Sequence, residues 1–179
     1  LSIVALVGGS GSGKTTTGLS ILRLLSPALK VETGQIFFKG EDVARVDERR
    51  MNELRGKEIG MIFQDPLQAL NPVFTIGFQI KEVLKRHTSL NAEQIKKRTL
   101  GLLAQVGLDD PVRALGSYPH ELSGGMRQRA MIAQAIAASP SLLIADEPTS
   151  SLDVTLQAKI LELFKSLRDH FKLSVILIT

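Results

Sequence analysis

The stretch Gly8-Gly9-Ser10-Gly11-Ser12-Gly13-Lys14-Thr15-Thr16 constrains this 179-residue chain more than any other. It has the spacing G-x-x-x-x-G-K-[ST], follows an apolar run over residues 1–7, and opens a helical pattern marked by Leu19, Ile21, Leu22 and Leu25. Strand, loop and helix therefore come in the order that a phosphate-binding turn requires. Gly8, Gly11 and Gly13 admit positive φ and let successive backbone N–H groups approach an anion with no Cβ in the way. Lys14 supplies a mobile cation for β- and γ-phosphates, and the Thr15 hydroxyl can ligate Mg²⁺. The positive end of the following helix adds to the same attraction. A Gly/Ser turn ahead of a surface helix would not need Lys-Thr in register behind a strand.

The length suits one domain with a sizeable core, and 44% hydrophobic residues mark it as globular. No apolar run approaches the ~20 residues needed to span a bilayer, since residues 130–145 are interrupted by Gln134, Ser139 and Pro140. With no cysteine, disulfides and Cys-based metal sites within this stretch are excluded, and nothing resembles a signal peptide, so a reducing, cytosolic setting is expected. The net charge of +4 is spread along the chain. Lys81, Lys85, Arg86, Lys96, Lys97 and Arg98 fall on polar faces of predicted helices, where solvation explains them without nucleic acid. The chain starts inside a strand and stops at the end of another, residues 173–179, and is expected to be a fragment.

Further motifs follow in order. A short strand is predicted over residues 34–40 between turn glycines, after a first helix that should run to Ser26-Pro27. A charged helix over 47–55 precedes the strand 58–63, which delivers Gln64-Asp65-Pro66. From 67 to 122 the pattern is helical: Ile76, Ile80, Val83 and Leu84 form one stripe, and Ile95, Leu102, Leu103 and Val106 form another behind an Asn91 N-cap with Gln94 at N3. These residues predict an all-helical subdomain inserted in an α/β chain, with the next helix running to about 139. Ser123 caps that helix, and Gly124 and Gly125 leave its first amides unobstructed, which is half of an anion site. The apolar run 141–145 reads as a buried parallel strand ending in Asp146-Glu147-Pro148. Asp146 can hold Mg²⁺ through water, and Glu147 can orient or deprotonate a water attacking a γ-phosphate. A helix over 154–171 and a final strand complete the pattern. His87, His120 and His170 have no metal-spaced partner.

These motifs resemble those of the ABC-transporter ATP-binding subunits, in the order that family has them and over essentially the whole chain. Residues 8–15 resemble Walker A, Gln64 the Q-loop, Leu122-Ser123-Gly124-Gly125 the ABC signature, 142–147 Walker B with its glutamate, and Ser150 to Asp153 the D-loop. Phe63-Gln64-Asp65-Pro66 with Leu70-Asn71-Pro72, the stretch 118–129, and Leu152-Asp153-Val154-Thr155 resemble the oligopeptide, dipeptide and nickel importers more narrowly. The resemblance implies a P-loop NTPase core with a mostly parallel sheet, ATP and Mg²⁺ as ligands, and ATP hydrolysis coupled to import of peptides or a related solute.

It further implies a head-to-tail dimer in which Ser123, Gly124 and Gly125 of one cassette close on the phosphate held by Lys14 of the other. Gln128 and Asp153 join the nucleotide contacts, and Gln64 joins Thr15 and Asp146 around the metal. The partners implied are a like or paralogous cassette, membrane permease subunits contacted by the segment after Gln64, and indirectly a solute-binding protein, with the chain on the cytoplasmic face of the membrane. Gly9 and Ser151 depart mildly from the subfamily pattern. The family's H-loop histidine, adenine-stacking aromatic residue and C-terminal extension are absent, so weak binding and poor hydrolysis are expected of this stretch. A soluble ABC ATPase acting on nucleic acid or the ribosome is the alternative, which the subfamily words around Gln64 disfavour. A GTPase or kinase would leave residues 122–125 unexplained.

Overall fold

The computed structural model describes residues 2–150 and 152–179. Leu1, expected in the first strand, and Ser151, in the polar loop after Glu147, lie outside the described residues.

Four parallel strands form the main sheet in the order β1 (Ile3–Leu6), β6 (Ser174–Ile178), β5 (Leu142–Asp146), β4 (Ile59–Ile62). Alternate residues feed opposite faces, as the pleat requires. Leu143, Ala145 and Val175 enter the large apolar cluster on one side, while Ile59, Met61, Ile144 and Ile178 join Leu22 on the other. A sheet covered on both faces reads as continuous apolar runs, which is why 141–145 and 173–178 carry no polar alternation. Register then decides where the chemistry sits. Leu6 pairs with Ile178, Ile178 with Asp146, and Ile62 with Ala145, so the loops leaving β1, β5 and β4 emerge along one edge.

Helix α1 (Lys14–Ile21) follows the phosphate loop. It ends well before Ser26-Pro27, the expected stop. Arg23 takes φ 52°, its N–H donates to the Ser20 carbonyl at 3.1 Å, and the Leu24 N–H donates to the Leu19 carbonyl at 2.9 Å. These two bonds close the helix as a Schellman motif with arginine in the left-handed position glycine usually fills. The Arg23 guanidinium is held by the Val46 carbonyl and Glu48, which offsets the strain. The predicted strand 34–40 is likewise shorter: β2 (Phe37–Phe38) turns through Lys39 and Gly40 and returns as β3 (Glu41–Asp42). Both turn residues have positive φ, 51° and 85°, the signature of a tight hairpin turn.

The remaining elements are helical except for the sheet strands already named. They are α2 (Glu48–Leu54), α3 (Pro66–Ala69), α4 (Ile76–His87), α5 (Ala92–Gln105), α6 (Pro111–Gly116), α7 (Gly124–Ala135) and α8 (Val154–Phe171), with a 3₁₀ turn at Pro119–Glu121. Asp47, Thr75, Asn91, Asp110, Ser123 and Asp153 each accept a backbone N–H from the first turn of the helix they precede. Such caps contribute roughly 1 kcal/mol apiece. Asn91 and Gln94 form the predicted reciprocal box, with bonds of 3.0 and 2.9 Å. The stripes meet in one core: Ile80 and Leu84 of α4, Leu102 and Leu103 of α5, and Phe164 of α8 share a cluster with the sheet. Gly60 of β4 lets α7 approach, because a Cβ there would lie 2.4 Å from the Ala135 carbonyl oxygen.

Candidate functional site

At the sheet edge where β1 ends, Gly13 takes φ 89° and caps α1 with no side-chain hydrogen bond. Every other helix of eight residues or more among the described residues has a side-chain cap. The exception leaves α1's first amides uncommitted. Among the described residues the N–H groups of Gly11, Gly13, Lys14, Thr15 and Thr16 donate to no backbone carbonyl, and only Ser12 turns back, to the Gly9 carbonyl at 3.2 Å. A Cβ built at Gly9, Gly11 or Gly13 meets nothing within 4 Å, so open space lies beside the bare backbone at these positions. Lys14 Nζ donates to the Gly8 and Gly9 carbonyls at 2.8 and 3.1 Å and, among the described residues, has no carboxylate partner. Uncommitted amides around an unpaired ammonium fit a phosphate chain.

The loops from β5 and β4 arrive beside it. Asp146, 2% exposed, accepts a 3.1 Å hydrogen bond at Oδ1 from Thr15 Oγ1. Burial pushes its carboxyl up from the ordinary value and the adjacent Glu147 adds to the rise, while the Thr15 bond and Lys14 oppose it. A hydroxyl and a carboxylate side by side are hard oxygen donors of the kind Mg²⁺ takes together with phosphate oxygens, without an all-protein cage. Gln64 Nε2 donates to Glu147 Oε2 at 2.7 Å, across two loops. Glu147 itself has φ 40°, uncommon for a residue other than glycine. Its N–H donates to the Ile178 carbonyl at 3.0 Å, and its carbonyl accepts from Ser150 N and Oγ at 3.2 and 3.1 Å. These bonds hold the strained residue in place and fix its carboxylate at the strand's exit.

A cleft of about 540 Å³ runs between these groups, lined by Thr15, Gln64 and Asp146 together with Leu19, Phe63 and Gln68. Of the last three, the sequence reading gave none a place at the site. Asp65 was a legible signal for the cleft wall: it stands before Pro66, caps α3 through the Leu67 N–H at 2.8 Å, and holds Gln68 Nε2 at 3.1 Å. Pro66 therefore opens a helical turn and does not refuse one, as proline at the first helical position can.

Ser123, Gly124, Gly125, Gln128 and Asp153 do not line the cleft or hydrogen-bond to the phosphate loop. Ser123 Oγ accepts from the Met126 N–H at 3.3 Å, and Gly124 is exposed with open space where a Cβ would stand. At Gly125 an added Cβ would meet Leu156 Cδ2 at 2.7 Å, so this glycine lets the start of α7 lie against the start of α8, which Asp153 caps. Gln128 is turned inward: it is 1% exposed and its Nε2 has no partner. Its side chain is thus not presented to a ligand from outside.

Residues 2–150 match the family described as ABC transporter. The chain belongs to that family. Its relatives include the oligopeptide transport ATP-binding protein OppD of Bacillus subtilis (strain 168), 51% identical over 177 residues, which are 98% of this chain and 49% of that protein. The dipeptide transport ATP-binding protein DppD of the same organism is 51% identical over 176 residues, 98% of this chain and 52% of that protein. The chain spans about half the length of the curated relatives it matches. Among solved structures it is similar to the ATP-binding cassette MJ0796 in a dimeric post-hydrolysis state bound to ADP and Pi, with TM-score 0.83 and 30% identity over 99% of this chain and 73% of that one. The fold is therefore the α/β P-loop NTPase fold of ABC cassettes. Family membership implies nucleotide binding. No helix among the described residues of this ABC cassette is long and apolar enough to cross a membrane.

Proposed function

We propose that the chain is the ATP-binding and ATP-hydrolysing part of an ABC importer for peptides or a related small solute, working as a head-to-tail dimer. The observation that carries this is the convergence, at one sheet edge, of the uncommitted loop amides with the Thr15–Asp146 and Gln64–Glu147 pairs. The names of the peptide-transport relatives support the solute class.

In this reading the uncommitted amides of Gly11, Gly13, Lys14, Thr15 and Thr16 and the Lys14 ammonium hold the triphosphate, Lys14 leaving its two carbonyls for the β/γ-phosphates. Thr15, Asp146 and Gln64 would hold Mg²⁺, which when bound would supply charge to offset that developing on the phosphates. Glu147 accepts the proton of a water attacking the γ-phosphorus as the bond to the β-phosphate oxygen breaks, and Gln64 positions that carboxylate. Ser123, Gly124 and Gly125 are the second half of the partner's site, with Asp153 beside them at the dimer seam. A two-fold arrangement completes both sites at once. The segment after Gln64 is the surface for membrane subunits, supported by the exposure of Leu67, Val73, Phe74 and Phe78 and by the stacked Phe74 and Phe78 rings, 4.6 Å between centroids. The chain then sits peripherally on the cytoplasmic face of the membrane, a single ABC domain whose helices α3 to α7 form its inserted subdomain.

Light scattering on the Glu147→Gln chain, with and without MgATP, tests this reading. The expected result is a mass doubling with MgATP; an unchanged mass in the presence of demonstrated ATP binding refutes closure of two copies.

A further inference from the structure

At the edge of the sheet opposite the cleft, where β4 and β5 begin, a cavity of about 790 Å³ opens between the sheet layer and helices α4 and α5. Lys57 from the turn before β4, Arg86 and His87 from the end of α4, and Arg98 from α5 line it, and no carboxylate does. A second cavity of about 500 Å³ shares Lys57, Arg86 and His87 and continues towards Arg49, with Glu53 the single acid on its wall. Together they make an elongated groove with cations along its length. The sequence expectation set Arg86 and Arg98 on solvated helix faces; the fold instead turns them into one concave surface.

The ordinary explanations for surface cations cover only part of this cluster. Among the described residues Lys57, Arg86 and Arg98 form no salt bridge, whereas Arg23, Arg50, Arg55 and Arg168 all do. Arg86 and His87 complement the negative end of α4. Lys57 and Arg98 belong to other elements and gain nothing from that helix. Arg98 is half-buried, donates to Ser139 Oγ at 2.9 Å, and lies 5.3 Å from the Phe171 ring centroid, positions that fix it without neutralising it. Burial lowers its proton affinity, and the proton affinity of His87 is lowered by burial and then by Arg86 and Lys57. The groove is thus a concave wall on which cations outnumber the one acid, Glu53, and in which Arg98 is held in place, the arrangement that concentrates anions. Gly56, at φ 79°, makes room for it: a Cβ there would stand 2.9 Å from His87 Nε2.

We infer that this groove binds a soluble anion carrying two or more phosphate groups, and that the bound anion ties α4 and α5 to the start of β4. The cations are shared out over two adjoining cavities, Arg49 lining one and Arg98 the other, so affinity rises with the number of linked phosphates. The site is separate from the phosphate loop, which lies at the other ends of the same strands.

The test is titration calorimetry with sodium tripolyphosphate, pyrophosphate and orthophosphate, on the chain carrying Lys14→Ala to weaken competition from the loop. A second chain carries Lys57→Ala and Arg86→Ala in addition; both are exposed side chains, and an unchanged ligand-free melting temperature verifies its fold. The expected result is binding in the order tripolyphosphate, pyrophosphate, orthophosphate, weakened about tenfold or more by the two added substitutions, in line with charge-assisted bonds. No binding, or binding indifferent to Lys57 and Arg86, overturns the inference. Cosedimentation with phosphatidylglycerol vesicles that depends on Lys57 and Arg86, without tripolyphosphate binding, assigns the phosphate to a lipid headgroup and overturns the soluble anion.

Discussion

The phosphate loop and the stretch from Ser123 to Gly125 each open a helix whose first amides are bordered by glycine, yet they are completed differently. Beside the loop, β4 and β5 deliver Gln64, Asp146 and Glu147 within the same chain, joined by bonds of 3.1 and 2.7 Å. At α7 the serine caps its own helix, and open space lies where a Cβ of the exposed Gly124 would stand. The contrast teaches where a cassette spends its order. In the proposed function, donors and charges for the phosphate chain are preorganised, which is where electrostatic stabilisation is largest, while the second helix end is completed only between molecules.

The sharpest way to break that comparison is Glu147→Gln. If the cleft beside the loop is the chemical half, turnover falls by roughly 10²–10⁴ with ATP affinity kept; a phosphate-release assay at the normal rate would take the base role from Glu147. Next comes Lys14→Ala. Losing charge-assisted bonds worth about 1.5–3 kcal/mol lowers MgATP affinity by roughly 10- to 100-fold, and unchanged calorimetry removes Lys14 from the phosphate site. Ser123→Arg probes the other region: monomer affinity for ATP stays, while ATP-dependent dimers require about tenfold more protein or vanish, since a like-charged or bulky group at a seam costs about 1.4 kcal/mol or more. Dimers that persist at the same concentration would dissolve the distinction drawn between the two helix ends.

The smallest effect sharpens the picture of the preorganised half. Burial holds the Asp146 carboxyl above its ordinary value, so the folded chain binds that proton more tightly than the unfolded one. The stability carried by the neutral carboxyl is present at low pH and lost as pH rises through the native value. At neutral pH the ionised group therefore costs stability, and Asp146→Asn raises the melting temperature of the ligand-free chain, by about 2–4 °C for each kcal/mol recovered. The same substitution weakens the Mg²⁺ dependence of ATP binding. A melting temperature that falls at pH 7 contradicts a buried carboxylate under strain.

The sequence made the sheet strands, the long helices and the loop legible because each has local causes: apolar runs, caps at Asn91, Ser123 and Asp153, and Lys-Thr in register. The meeting of Thr15 with Asp146 followed from strand order, which motif order implied. What could not be read locally depends on partners distant in sequence. Arg23 ends α1 early because Val46 and Glu48 anchor it; Gln128 is buried by the packing of α7; the φ of Glu147 is maintained by Ile178 and Ser150. The cationic groove gathers cations from residues 49 to 98, and no periodicity along one helix could reveal it.

The order β1-β6-β5-β4 carries a consequence for synthesis. Of the four described strands β6 comes last in the chain yet lies between β1 and β5, so Leu6 at the mouth of the phosphate loop gains this partner only once Ile178 exists. Until then the nascent chain can assemble helices α4 to α7 from nearby contacts, but β1 lacks its partner among the described strands. Long-range parallel pairing is slow and exposes apolar edges while it waits. A ribosome stalled before residue 174 would therefore display a folded helical layer beside a β1 whose partner in this sheet is still to come, and the sheet edge that positions the phosphate loop would be set only after β6.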